Sequence, residues 1–351
     1  MKGSFLGCCV AGFCGVLTGI CVVAAPPAGG YHLLKKIPLG AAPGGGEYFD
    51  YITVDSGARR VYLSHGTEVK VLDADSSVEV GTITGFKRSH GVALAPDLGR
   101  GFVSDGDLGE AVIFDLKTFK TLGLVKADED ADSILYDPAS KHIFVFNGRP
   151  KSATVIDPAK GTVLGSIALG GSPEQAVSDG KGTIYDNLED TGEVVGIDSQ
   201  SLKIKTRWKV APAGQPVAIA MDQQHRRLFI SGRNPKMLIM MDANNGKVIG
   251  QPFPIGDRVD TNIFEPETGS VFASTREGAI HVFHEDSPEK LSAVETVKTE
   301  FGAKTMGLDS KTHNLYVDTS DFDPPAAPTA QQPNPQPRAK PGTFRVLIYG
   351  Q

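Results

Sequence analysis

The sequence predicts an all-β fold: a seven-bladed β-propeller with four antiparallel strands per blade. Three observations predict it. A short apolar–aromatic–apolar–polar motif occurs seven times at intervals of 40 to 44 residues. An apolar pair followed by Asp keeps the same rhythm through most of the chain. The last repeat lacks one strand, and the N-terminal region holds a segment that supplies it. A fixed period of about 20–50 residues marks a solenoid or a propeller.

The repeated motif reads Val61-Tyr62-Leu63-Ser64, Gly101-Phe102-Val103-Ser104, Ile143-Phe144-Val145-Phe146, Ile184-Tyr185-Asp186-Asn187, Leu228-Phe229-Ile230-Ser231, Val271-Phe272-Ala273-Ser274 and Leu315-Tyr316-Val317-Asp318. It forms strand B of each blade. Strand A precedes it as a short apolar run such as Ile52-Thr53-Val54 or Ala218-Ile219-Ala220, ended by turn clusters such as Asp55-Ser56-Gly57. Strand C closes on Asp73, Asp115, Asp157, Asp198 and Asp242, where each Asp is expected to cap the following turn. The sixth repeat has His284 there instead. Strand D is one more apolar-alternating run, such as Val163 to Leu169. Short β-branched and aromatic runs between turn clusters read as hairpin strands, and four per repeat make a propeller blade. The seventh repeat offers strands A (305–308), B (315–319) and C (344–349). His32-Leu33-Leu34-Lys35-Lys36-Ile37-Pro38-Leu39 is expected to complete it as strand D, leaving no open sheet edge. Each strand-B aromatic is expected to pack against the neighbouring blade.

These B strands resemble the YVTN-type β-propeller repeats of the YncE-like proteins, above all Val61-Tyr62-Leu63-Ser64-His65 and Leu315-Tyr316-Val317-Asp318-Thr319. The Ala95-Pro96-Asp97 and Asp137-Pro138 turns add to the likeness. The resemblance covers residues 31–351. It implies a propeller that binds or scaffolds, since members of that family are mostly non-catalytic or uncharacterised. Trp208 is the only tryptophan, so the WD-repeat signature is absent.

Residues 1–25 read as a signal peptide. Lys2 is the basic n-region, the apolar core runs from Phe5 to Val23, and Val23-Ala24-Ala25 offers a cleavage site before Pro26-Pro27. A retained anchor is the rival reading of the same segment. Export implies a periplasmic or secreted protein with no membrane span after cleavage. All four cysteines, Cys8, Cys9, Cys14 and Cys21, fall in this leader. The mature chain is therefore expected to have no disulfide and no thiolate metal site. The full chain carries 35 Lys and Arg against 41 Asp and Glu. Cleavage removes only Lys2, leaving an acidic balance. Nucleic acid is not expected as a partner, because that binding draws on a basic surface. A monomer is expected.

Residues 321–342 break the pattern. Seven of these 22 residues are proline, and none after Phe322 is a large apolar residue. The segment is expected to be a disordered, Pro-rich insertion within blade seven, between strands B and C.

Twelve residues before each strand-B aromatic lies the start of strand A, beside the central channel. Those positions hold Asp50, His90, Asp132, Pro173, Val217, Asp260 and Lys304, with Glu174 one place beyond Pro173. Five of the seven are ionisable, although apolar strands follow them. The B–C loops share this face and add Arg149, Arg233 and Arg276, whose guanidinium forks suit carboxylate or phosphate, along with polar residues such as His65, Asp105, Asn147 and Glu189. The ligand-binding set is therefore Asp50, His90, Asp132, Glu174, Asp260, Lys304, Arg149, Arg233 and Arg276. No cofactor is expected, although carboxylates with His90 would suit a divalent cation. Polar groups lining a water-filled channel would look the same.

No Gly-x-Ser-x-Gly elbow, His-Glu-x-x-His helix, Walker loop or Cys-x-x-Cys-His site is present. The sequence reading is a non-catalytic binding or scaffold module that recognises a small polar ligand or a protein partner at the channel mouth. The alternative is a metal-assisted, lactonase-like hydrolase, in which Asp50, His90, Asp132, Glu174 and Asp260 would hold metal and activate water.

Overall fold

The computed structural model describes Met1 and residues 30–44, 47–329, 332–333 and 335–351. The expected signal peptide, with its four cysteines, lies outside the described residues except for Met1. Seven four-stranded antiparallel sheets form the ring. Strands A to D run outwards from the axis in each. Blade one comprises Phe49–Asp55, Arg60–His65, Glu68–Asp73 and Glu79–Thr84. Blades two to six repeat this order, their A strands being Ser89–Ala95, Ala131–Asp137, Pro173–Ser178, Pro216–Asp222 and Val259–Glu265. One short helical turn, Pro96–Leu98, is the only helix among the described residues. No helix there is long and apolar enough to cross a membrane.

Blade seven is closed as its sequence requires. Met306–Asp309, Asn314–Thr319 and Phe344–Gly350 form strands A to C, and His32–Gly40 pairs antiparallel with strand C as strand D. Apart from Ile37 and Leu39, that outer strand is mostly exposed, so its anchor is the residue before it. Tyr31 is buried edge-on against Phe272, 5.4 Å between centroids. Its hydroxyl donates to the His313 carbonyl at 3.1 Å.

The apolar core is divided among the blade interfaces, with one cluster at each. Tyr62 packs with Val103 and Phe114 of blade two. Phe102 meets Ile143 and Ile156, Phe144 meets Ile184 and Ile197, and Tyr185 meets Ile219 and Met241. Phe229 meets Val271 and Phe283, and Phe272 meets Leu315 and Leu347. Tyr316 closes the circuit on Val61 and Leu63 of blade one. The periodic aromatic is thus the residue that joins each sheet to the next. The recurring Asp at the end of strand C has a local role: Asp73, Asp115 and Asp198 each accept the backbone N–H three residues on, at 2.9, 2.7 and 2.7 Å.

The Pro-rich insertion begins and ends on a short two-stranded pairing, Phe322–Asp323 with Arg338–Ala339. Between these two strands the described residues carry no regular structure. Phe322 packs edge-on against Phe301 at 5.1 Å, which holds the base of the insertion against blade seven.

Candidate functional site

The ionisable positions sit where the A-strand ladder is irregular. Strand A of blades one, two, three, four and six shows a register shift spanning Asp50, His90, Asp132, Glu174 and Asp260 respectively. Such bulges re-aim a side chain out of the alternating pattern. Polar residues of strand B hold the same backbone from the preceding blade. The Ser104 hydroxyl donates to the Asp132 carbonyl, and Ser274 to that of Lys304 at 2.5 Å. Ser64, at the same position of the first motif, instead donates to the Tyr51 carbonyl of its own blade at 3.0 Å.

Six of these side chains form one chain of contacts in which the charge sign alternates. Arg233 pairs with Asp260, and Asp260 with Lys304. Lys304 Nζ donates to Asp50 Oδ1 at 3.0 Å. Asp50 Oδ2 lies 2.7 Å from His90 Nδ1, which is also 3.0 Å from Asp132 Oδ1. Asp50, His90 and Asp260 are buried, whereas Asp132, Lys304 and Arg233 keep between 25% and 30% of their side chains open. Burial alone would lower the His90 pKa, but the neighbouring Asp132 and Asp50 outweigh it and raise it to about 10. Burial opposes ionisation of Asp50, yet Lys304 and His90 hold its carboxyl far below the usual range. Lys304 is driven upward by Asp260 and Asp50 against its own desolvation. The chain therefore sets three basic side chains between and beside three carboxyl groups.

Glu174 lies between the two ends of this chain. Its burial, then the charge of Asp132, pushes its pKa well up, while Arg233 pulls the other way. Arg233 also lies 3.4 Å from Glu189. The remaining two arginines lie apart from the chain. Arg149 is 73% exposed and lies 3.6 Å from Glu129. Arg276 stacks its guanidinium 5.6 Å from the Phe322 ring centroid, beneath the Pro-rich insertion. Burial and the neighbouring charge of Arg258 lower its pKa.

Three mouth residues were not foreseen. The Tyr48 hydroxyl donates to Asp50 Oδ2 at 2.7 Å and lies 2.9 Å from His90 Nδ1. Arg88 covers the Tyr48 ring at 4.5 Å. Tyr51 lines the central channel, and its phenol is within electrostatic reach of Asp132, Asp50, Glu174 and Asp260. Burial and those carboxylates keep it protonated. Tyr48 and Arg88 each stand two residues before a position of the ionisable ring, so reading the same repeat register two places earlier finds both. Several B–C loop polar residues are structural. Asp105 accepts the Lys87 N–H at 2.7 Å, Asn147 holds Thr154 at 3.0 Å, and His65 is buried flat on Phe344.

Below this layer the channel encloses 340 Å³. Gln175 ties its wall together. Its Oε1 accepts N–H groups of Ile219 and Asn262, and its amide donates to the Asn262 carbonyl at 3.2 Å. Asp50, His90 and Asp132 could offer three ligand atoms to a cation within 4.8 Å of one another. His90 Nδ1 already faces both carboxylates as a proton donor, so a cation there would have to displace that proton. Gly106 backs the ring's far side, where a Cβ would stand 2.6 Å from His90 Nε2.

No family model matches the chain, and no curated protein matches it. Solved structures do. Hydrazine synthase of Kuenenia stuttgartiensis aligns with a TM-score of 0.69 at 15% identity, over 79% of this chain and 93% of that one. A chain from the crystal structure of a mitotic checkpoint complex aligns with a TM-score of 0.72 at 13% identity, over 99% of both. At these identities the likeness establishes the β-propeller fold alone.

Proposed function

We propose that this protein is a binding module whose channel mouth takes a small polar ligand or a polar segment of a protein partner. The observation that carries this reading is the alternating chain Arg233–Asp260–Lys304–Asp50–His90–Asp132. Every member is paired with a group of opposite sign, which fixes the side chains in place before a ligand arrives and lowers the ordering cost of binding. A general base needs a free lone pair, whereas His90 Nδ1 faces two carboxylates. What remains open at the mouth is the outer edge of Asp132, Lys304 and Arg233, with Glu174 beside them. These offer donors and acceptors of both signs and suit recognition of a polar molecule.

The likeness of the B strands to YVTN-type repeats supports the same reading, as does a structural neighbour that belongs to a multi-protein complex. We further propose that the chain is exported after removal of residues 1–25.

The test is a thermal-shift panel of amino acids, sugar acids and dicarboxylates, with lactone and ester turnover measured on the same preparation. A saturable shift lost in Arg233→Gln, without turnover, supports the binding module. Turnover that requires an added divalent cation and disappears in Asp132→Asn would replace it with the hydrolase.

A further inference from the structure

On the face opposite the channel mouth, blades five and six enclose a second cluster of ionisable groups. The A–B turn of blade five brings Asp222 and His225. The long strand C of blade six, Ala279–Ser287, brings Glu285. The three offer one carboxylate or imidazole atom each, all within 4.8 Å of one another, at a cavity of 390 Å³ that they line. Asp222 and Glu285 are buried, 2% and 5% exposed. Two carboxyl groups are thus held together away from water, within hydrogen-bonding reach of each other, and both can be ionised there only with a positive group between them. Within blade five, His225 Nδ1 lies 2.5 Å from Asp222 Oδ2, which also accepts the His225 backbone N–H at 3.2 Å. Gln224 sits 3.3 Å from the other ring nitrogen, where its amide donates and leaves the proton on Nδ1. Glu285 Oε1 is buried and has no hydrogen-bond partner among the described residues, and Glu285 lines this cavity.

We propose that Asp222, His225 and Glu285 form a binding site for a single Zn²⁺ ion that clamps blade five to blade six. One imidazole nitrogen with two carboxylate oxygens suits zinc, whereas calcium and magnesium prefer all-oxygen shells. The proton on His225 Nδ1 occupies the position the cation would take, and the unpartnered Glu285 oxygen supplies the ligand from the neighbouring blade. The cavity leaves room for a water in the fourth position. The site is independent of the channel mouth and of the function proposed for it. Asp222 and Arg227 of blade five and Glu289 of the same hairpin face Glu285; burial and then Asp222 push its carboxyl up to about 8.

Isothermal titration of the full chain with ZnCl₂, after chelator stripping and with Cys8, Cys9, Cys14 and Cys21 alkylated, tests this. One equivalent of zinc is expected to bind. Glu285→Gln, nearly isosteric, and His225→Ala, at an exposed position, should each weaken binding on the order of 100-fold, since even outer-shell changes cost 10–100-fold. Asp132→Asn at the mouth should bind as the parent does. Absence of a one-to-one site in the parent overturns the proposal. So does a site that survives both Glu285→Gln and His225→Ala, or one that is lost in Asp132→Asn.

Discussion

Replacing His90 with glutamine keeps a donor in the mouth and removes the imidazolium charge. The consequence is a change in the pH dependence of stability. His90 is 2% exposed and its pKa in the fold is about 10, against an ordinary 6.5. The unfolded imidazole gives up its proton as the pH passes 6.5, whereas the folded one keeps it to about 10. Its contribution is therefore complete below pH 6.5 and disappears as pH rises through 10. At about 1.4 kcal/mol per pH unit, the whole window is worth at most about 5 kcal/mol. Between pH 7 and pH 9 the stability difference between parent and His90→Gln should shrink by about 2–3 kcal/mol. Urea unfolding of both proteins at pH 7, 8 and 9 measures this. The readout is the slope of the difference, because a constant offset would contain lost packing as well. Parallel curves would show that the folded imidazole is neutral, and the alternating chain would then lose its middle.

Three further outcomes follow from the packing. Phe229→Ala empties a fully buried site between blades five and six, so stability should fall by about 3–5 kcal/mol in thermal or urea unfolding; an unchanged midpoint would contradict the interface role. Tyr31→Ala removes the buried anchor of the closing strand and should cost about 3 kcal/mol, with hydrogen exchange accelerating in His32–Gly40 and its partner Phe344–Gly350 before it does in blade three. Arg276→Ala removes the guanidinium stacked on Phe322, so trypsin should cut after Arg338, which precedes Ala339, faster than in the parent, with the rest of the ring resistant.

The architecture was legible because each blade must solve one packing problem, and it solves it with one residue type at one position. The strand-B aromatic fills the gap to the next sheet, so its spacing reports the blade length. The polar residue two places later holds the neighbouring A strand, as Ser104 and Ser274 do. Closure was legible for a related reason: the seventh repeat runs out of chain one strand short, and His32–Gly40 alternates as an outer strand does. The repeat arithmetic also located the ionisable ring, because the bulge falls at the same place in each A strand that has one. Arithmetic does not give side-chain length or direction. Arg149 and Arg233 occupy similar B–C positions, yet Arg149 extends into solvent and Arg233 reaches Asp260.

What the repeat hides is whatever crosses it. Tyr51 belongs to the apolar stretch of strand A, and nothing in its own blade marks it as polar; it becomes part of the mouth only because carboxylates of blades one, three, four and six converge on it. Glu285 is a stronger case. It follows His284, which stands where other blades place the capping Asp, on a strand whose ladder with strand D is shifted on both sides of it. Its partners Asp222 and His225 lie in another blade, some sixty residues earlier. The turn that carries Asp222 and His225 therefore reads as local, although the ring brings the Glu285 carboxyl of the next blade to it. In a closed array of repeats, the residues that depart from the period and face a neighbouring blade are the ones whose roles have to be sought in three dimensions.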